Sequence, residues 1–305
     1  MNARREKTRS LWMNIKVDPT APRYAGKQTC ETVVIGSGIA GLSVAYELVT
    51  RGQKVIVLDR GAIAGGMTSR TTAHLAPICD DGLSALISLR GEKIAALFQQ
   101  SQEAAVSRIE EIVHQNGIDC NFRRLDAYLF PAMGTDAKDA RDQRQKEFEA
   151  ARKIGAAAEM VTGVPLKGFE KAPALRYPDQ ATFHPLRYLR GVARVIRDNG
   201  GLICANSAVV SVHEMSNGGV QVTTENGGVI EASTAVVASN SPINDRFELH
   251  TKMSPYRSYA MAFTLPSGDL PDALYWDTGD PYHYVRLERA EADYGLHGMA
   301  TTLTL

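Results

Sequence analysis

The sequence predicts a mixed α/β protein: a parallel-stranded α/β unit built from discontinuous segments, with a second, β-rich domain inserted into it. Three observations predict it. Thr32–Ile35 is a β-branched run without polar alternation that leads directly into Gly36, Gly38 and Gly41, as a strand covered on both faces would. A helical pattern and a second apolar run, "KVIVLD", complete a strand–helix–strand unit of about thirty residues. Further on, the turn signals "SNGG" and "ENGG" join short β-type runs, and neither an internal repeat nor a low-complexity linker marks a simple boundary.

The first unit takes its elements in order. After Gly41, Leu42, Ala45, Leu48 and Val49 fall on one helical face, and Gly52 stands where a left-handed C-cap belongs. Gly36 lets the chain turn off the strand, Gly38 admits a close backbone approach, and Gly41 lets helix and strand pack tightly. The stretch Gly36, Ser37, Gly38, Ile39, Ala40 and Gly41 is therefore a candidate phosphate cradle at a helix N-terminus. Asp59, followed by Arg60, closes the second strand 18 residues after Gly41. A carboxylate there accepts a ribose hydroxyl pair and disfavours a 2′-phosphate, which points away from NADP. A glycine-rich turn in a ligand-free protein is the bland alternative.

Residues 60–77, "RGAIAGGMTSRTTAHLAP", have no regular period and are rich in Gly, Thr and Ser. Loops of that length tend to be functional, and small hydroxyl residues suit a backbone wrapped around an extended ligand. Residues 91–117 read as a helix with Ile94, Leu97, Phe98, Ala105, Ile109 and Ile112 as its buried stripe. A strand is expected over 120–131, a charged helix in "DAKDARDQRQKEFEAARKIG", a turn-rich passage over 159–184, and a helix opened by Pro185 that ends near Asn199. Strands follow over 202–213, 219–224 and 228–238, then in "YRSYAMAFTL" and "YHYVRLE".

Composition narrows the function classes. Lys+Arg and Asp+Glu both total 34, so no net field favours nucleic acid or an anionic membrane. The basic "MNARREKTR" is followed by no apolar core of a signal peptide, and no window approaches the about 18 apolar residues of a membrane span. A cytoplasmic location is expected, without nucleic-acid or membrane partners. Cys30, Cys79, Cys120 and Cys204 lie far apart and the seven histidines are scattered, so no metal site is expected.

"VVIGSGIAGLSVAYELVTRGQKVIVLDR" and "GGMTSRTTAHL" together resemble the flavin domain of the D-amino-acid-oxidase-like FAD oxidoreductases. "DQATFHPLRYLRGVARVIRDNGG" resembles that family's proline-started helix. "ANSAVVSV" resembles the strand whose valine backbone meets the adenine, here Val209, and "ASTAVVASNSP" the strand ending beside the flavin. "SLWMN", "RTTAHL", "FHPLRYLRG", "NSPIND", "PYRSY" and "ALYWDTGDPYHYVRL" resemble a subgroup whose members usually carry a C-terminal Rieske domain. The likeness covers roughly residues 10–290. Two departures stand out. Ser239-Asn240 replaces the usual Thr-Gly, and "YGLHGMATTLTL" does not resemble the family, which reads as a frame change, premature end or fragment boundary.

The resemblance implies an FAD-binding domain over 29–118 and 185–248 and a substrate domain over 119–184 and 249–290. An N-terminal extension over 1–28 and an aberrant tail over 291–305 complete the division. It implies oxidation of a C–N bond in an amine or amino acid by hydride transfer to flavin N5, with oxygen or an iron–sulfur centre absent from this chain as electron acceptor. Thr68, Ser69 and Arg70 are expected at the pyrophosphate or flavin, although Arg70 also suits a surface ion pair. His74 reads as a buried core histidine or as an imidazole over the flavin, where relatives sometimes attach it covalently. Arg257 or Arg286, with Tyr259 or Tyr284, would clamp a substrate carboxylate. Aromatic strand residues are equally at home in a core. Two other functions remain open: an inactive fragment that still binds FAD, and an NAD-binding protein.

Overall fold

The computed structural model describes residues 8–216, 218–243, 258–266, 268–289 and 297–304. In chain order the elements are β1 (Lys27–Ile35), α1 (Ile39–Val49), β2 (Val55–Leu58), β3 (His74–Leu75), α2 (Leu83–Arg90), α3 (Glu92–Gln115), β4 (Arg123–Phe130) and α4 (Ala137–Ile154). They continue with β5 (Glu159–Thr162), β6 (Pro173–Thr182), α5 (Pro185–Asp198), β7 (Leu202–Cys204), β8 (Val209–Glu214), β9 (Val220–Thr224) and β10 (Val229–Val237). The last are β11 (Ser258–Leu265), β12 (Leu274–Asp277), β13 (His283–Arg289) and β14 (His297–Thr304). Two short 3-10 helices, Leu11–Asn14 and Met67–Arg70, stand outside this series.

The chain forms two compact units. The first comprises Met1–Thr71, Asn116–Cys120 and His184–Pro255. Its six-stranded sheet runs β7-β2-β1-β10-β9-β8. β1 pairs in parallel with β2 and β10, β2 in parallel with β7, and β9 and β8 add an antiparallel edge. The apolar run of β1 is buried on both faces, as its sequence requires: Val33, Ile35, Ile56 and Leu58 share one cluster with Tyr24 and Cys204, while Val34 and Val57 are fully buried beside them. α1 and α5 pack together, α5 being opened by Pro185 and capped by the His184 imidazole, which accepts from the Arg187 N–H at 3.2 Å. The expected strand over 202–213 is divided in two. β7 and β8 lie on opposite edges of the sheet, and the break falls at Asn206, whose φ is +50°. Both glycine hairpins form as expected, β8 to β9 and β9 to β10.

The second unit comprises Thr72–Gln115, Asn121–Phe183 and Tyr256–Leu305. Its sheet runs β11-β14-β13-β12-β4-β6-β3, with β5 also on β6, and only β12 and β4 pair in parallel among the described strands. The passage over 159–184 contains the long strand β6. Its prolines hid it: Pro173 is the first residue of the strand, and Pro178 falls with Asp179 where the β4–β6 ladder shifts register between Leu125 and Ala127.

The boundaries differ from the expected ones in three places. Residues 72–115 belong to the second unit, because Leu83 and Ala95 pack with Ala150, Ala151 and Ile154 of α4. Within α3 the buried side runs through Ala95, Gln99, Val106, Ile112 and Val113, while Ile94 and Leu97 are exposed. A polar glutamine in the inner row displaced the expected stripe by about one residue. Residues 8–24 are no loose extension, since Trp12, Val17 and Tyr24 are buried in the first unit. Residues 297–304, expected within an aberrant tail, form β14 between β11 and β13.

Candidate cofactor-binding site

The glycine run of the first unit is locked by its own backbone. β1 stops at Ile35, and Gly36 turns with φ +108° while its N–H donates to the Leu58 carbonyl at 2.8 Å. A Cβ on Gly36 would lie 2.4 Å from the Ala238 carbonyl oxygen, and one on Gly41 would lie 1.9 Å from that of Gly36. Neither position can carry a side chain without moving backbone. α1 then begins at Ile39 without a side-chain cap from Gly38, so its N-terminal dipole end is left to another partner. Part of that partner is Thr68, whose Oγ1 accepts from the Ile39 N–H at 3.0 Å. It also lies 3.2 Å from where a Gly38 Cβ would be.

Asp59 at the end of β2 accepts from the Ser37 N–H at 2.8 Å and the Ser37 hydroxyl at 2.6 Å through Oδ2, and from the Gly61 N–H at 2.8 Å through Oδ1. Ser37 is fully buried and its Oγ also accepts from the Ala64 N–H at 3.0 Å. The carboxylate is thus held in place by three donors. The chain leaving β7 braces it from behind, the Ser207 N–H donating to the Asp59 carbonyl at 2.6 Å. Val209 opens β8 two residues later, and Arg60 is exposed beside Asp59. At the turn after β10, expected beside the flavin, Asn240 adopts φ +64°. Asparagine tolerates this left-handed region, which accounts for the departure from Thr-Gly.

The 66–71 loop holds the other first-unit candidates. Ser69 is buried and its hydroxyl donates to the Gly66 carbonyl at 2.8 Å, so it shapes the turn. Arg70 is half-buried, its Nη1 donating to Ser69 Oγ at 3.2 Å, while its buried Nε meets no partner among the described residues. A glycine turn packed too tightly for a Cβ at Gly36 or Gly41, a preset carboxylate acceptor and an orphaned guanidinium donor fit the pyrophosphate and ribose of a dinucleotide.

In the second unit, β13 brings two expected residues beside β3. Arg286 is 1% exposed, and its Nη1 donates to the carbonyls of Thr72 at 3.0 Å and Ala73 at 2.9 Å, while Nη2 is paired with Glu288. This guanidinium is committed to holding the 72–73 backbone, where Ala73 takes a positive φ of +58°, and the clamp reading for Arg286 is corrected accordingly. Burial is the main cause that lowers its pKa to about 10, against the opposing charge of Glu288. His74 follows directly. Burial, then the Arg286 charge, lowers its pKa to about 3, so the imidazole is neutral at neutral pH. Tyr284 meets it edge-on with ring centroids 4.9 Å apart. Tyr259 is 51% exposed on β11, and Arg257 lies outside the described residues. Sequence reasoning missed Glu288, although its spacing of two from Arg286 on a strand puts both on one face.

A strand–glycine-turn–helix cradle with a carboxylate at the end of the next strand defines a dinucleotide-binding protein. Residues 31–297 match the DAO family, FAD dependent oxidoreductase, and the chain belongs to that family. It is 28% identical over 278 residues to YhfW of Bacillus subtilis (strain 168), described as a Rieske 2Fe-2S iron–sulfur protein, covering 91% of this chain and 53% of that one. It is 26% identical over 196 residues to gamma-glutamylputrescine oxidoreductase of Escherichia coli (strain K12), covering 60% of this chain and 43% of that one. The chain therefore spans about half the length of the curated relatives it matches. Its fold is that of glycine oxidase from Geobacillus kaustophilus, with a TM-score of 0.68 at 18% identity, over 90% of this chain and 72% of that one. Among the described residues no helix is long and apolar enough to cross a membrane, and no group of His, Cys, Asp or Glu could hold a metal ion.

Proposed function

We propose that the chain is the FAD-binding and catalytic part of an oxidoreductase that oxidises a C–N bond in a small amine or amino acid. The observation that carries the reading is the backbone-locked glycine cradle beside Asp59, in a chain whose residues 31–297 match the FAD-dependent family. When bound, FAD supplies a two-electron acceptor for the hydride of the C–H next to nitrogen. Gly36, Ser37, Gly38, Ile39, Ala40 and Gly41 would hold the pyrophosphate at the α1 N-terminus, and Asp59 would accept the ribose hydroxyls while repelling a 2′-phosphate. Thr68 and Arg70 would add a hydroxyl and a cation to the phosphate side. His74, held neutral, offers ring nitrogens to a polar group without adding charge, and Tyr284 presents a half-buried hydroxyl next to it.

The amine carbon would lose the hydride as its nitrogen lone pair forms the iminium, which water would hydrolyse, directly or after loss of a proton as the imine, to the carbonyl compound and the released amine or ammonia. The names of gamma-glutamylputrescine oxidoreductase and glycine oxidase support an amine or amino acid as substrate. Oxygen or an iron–sulfur centre outside this chain would take the electrons, the latter suggested by the description of the Bacillus subtilis relative. A cytoplasmic location belongs to the same proposal, and the four free cysteines suit it. The test is anaerobic titration of the FAD-loaded protein with glycine, proline and putrescine derivatives. Bleaching of the flavin band by any of them supports amine oxidation, and an unchanged spectrum with all of them, against full bleaching by dithionite, contradicts it.

A further inference from the structure

The short motif "SLWMN" near the N-terminus has no part in the cradle, yet it is built into the fold beside it. Ser10 caps the 3-10 helix Leu11–Asn14 by accepting from the Trp12 N–H at 3.3 Å. The hydroxyl of Ser10 in turn donates to the Ser69 carbonyl at 2.5 Å. Trp12 is 3% exposed, and its indole Nε1–H donates to the Thr71 carbonyl at 2.7 Å. The indole also meets the His184 ring edge-on, centroids 4.8 Å apart, so it is anchored against the residue that caps α5.

Both hydrogen bonds end on one segment. Residues 66–71 hold themselves with few bonds: the 3-10 turn Met67–Arg70 has no side-chain cap, the Ser69 N–H and hydroxyl donate to the Gly66 carbonyl, and Arg70 Nη1 donates to Ser69 Oγ. Gly65 and Gly66 precede it, so the unfastened loop has many conformations to lose. Fastened, it sets Thr68 Oγ1 on the Ile39 N–H at the mouth of the cradle.

We propose that Ser10 and Trp12 form a strap that positions the 66–71 loop against the α1 N-terminus and thereby sets the affinity of the chain for the pyrophosphate of FAD. Trp12 is a positioning residue, acting through the loop rather than on the cofactor. The inference rests on the FAD-binding reading above. Because strap and cofactor favour the same loop conformation, linkage requires FAD to tighten the strap by the factor with which the strap tightens FAD.

The experiment compares wild type, Trp12→Phe and Ser10→Ala by titration with FAD, ADP and adenosine. Trp12→Phe keeps a ring against His184 and removes the N–H donor together with part of the buried ring, whereas Ser10→Ala removes the Ser10 hydroxyl, and with it the bonds to Ser69 and Trp12, at little change in volume. FAD and ADP binding should weaken about three- to tenfold in each variant, the size of one lost hydrogen bond, with adenosine binding unchanged. In wild type, hydrogen exchange of the Trp12 indole N–H should slow by a similar factor when FAD is added. That readout needs no variant, so a Trp12→Phe protein that fails to fold leaves the proposal testable. Wild-type FAD affinity in both Ser10→Ala and Trp12→Phe, or indole exchange indifferent to FAD, overturns the strap alone. A wild type that binds neither FAD nor ADP overturns the FAD reading and the strap with it.

Discussion

Asp59 is clasped by Ser37, whose backbone N–H and hydroxyl both donate to its Oδ2 at 2.8 and 2.6 Å. The acceptor at the end of β2 is thereby fixed before any ligand arrives, and pre-organisation of this kind is what converts a hydrogen bond into affinity. Asp59→Ala should weaken FAD binding about ten- to a hundredfold, the range for a hydrogen bond to a charged group. Ser37→Ala, which keeps the backbone donor, should cost less. Flavin fluorescence titration measures both.

Gly41→Ala should be far more harmful than its size suggests. The added Cβ would sit 1.9 Å from the Gly36 carbonyl oxygen, so strand and helix must part. The expected loss is more than about 2 kcal/mol together with FAD binding, read by urea denaturation and titration. Gly52→Ala is the comparison: nothing lies within 4 Å of its Cβ position, so only the strain of its φ of +84° is added, about 1–2 kcal/mol, with FAD binding retained.

Much of the first unit was legible because its chemistry is local in sequence. The β1–α1–β2 unit, the proline-opened α5 and the two glycine hairpins each carry their signal within a few residues. What escaped depends on distant partners. β6 was hidden by its prolines, one at its first position and one at the register shift against β4. The true inner face of α3 was hidden by Gln99, which is buried and donates to Glu103. In the site, the tight packing of Gly36 and Gly41 and the placing of Asp59 at the end of β2 followed from the motif, whereas the Arg286 bond to the Thr72 carbonyl and the Trp12 anchor join residues 214 and 59 positions apart and leave no local pattern.

Arg286 and Glu288 form a buried pair, so removing one partner should hurt more than removing both. Arg286→Met leaves a carboxylate uncompensated and should cost about 3–5 kcal/mol, while Arg286→Met with Glu288→Gln should recover part of that loss. A double-mutant cycle in urea gives the coupling. If the second unit unfolds separately, its own transition is the one to follow.

His74 predicts an acid limit. Its folded pKa is depressed to about 3, chiefly by burial and then by Arg286. Below about pH 6.5 the unfolded chain binds a proton at this imidazole that the folded chain does not. Stability therefore falls as pH drops from about 6.5 towards 3, by at most about 1.4 kcal/mol per pH unit, and this contribution is absent above 6.5. His74→Gln should flatten the profile in that window, measured as the urea midpoint against pH.

The central claim is that the cradle holds FAD. The most direct measurement is the melting temperature and visible spectrum of the purified chain with FAD, NADH and NADPH in turn. FAD alone should raise the melting temperature and remain with the protein through gel filtration as a yellow complex with the flavin bands. A colourless protein that FAD leaves unshifted, or one stabilised by NADH instead, would contradict it.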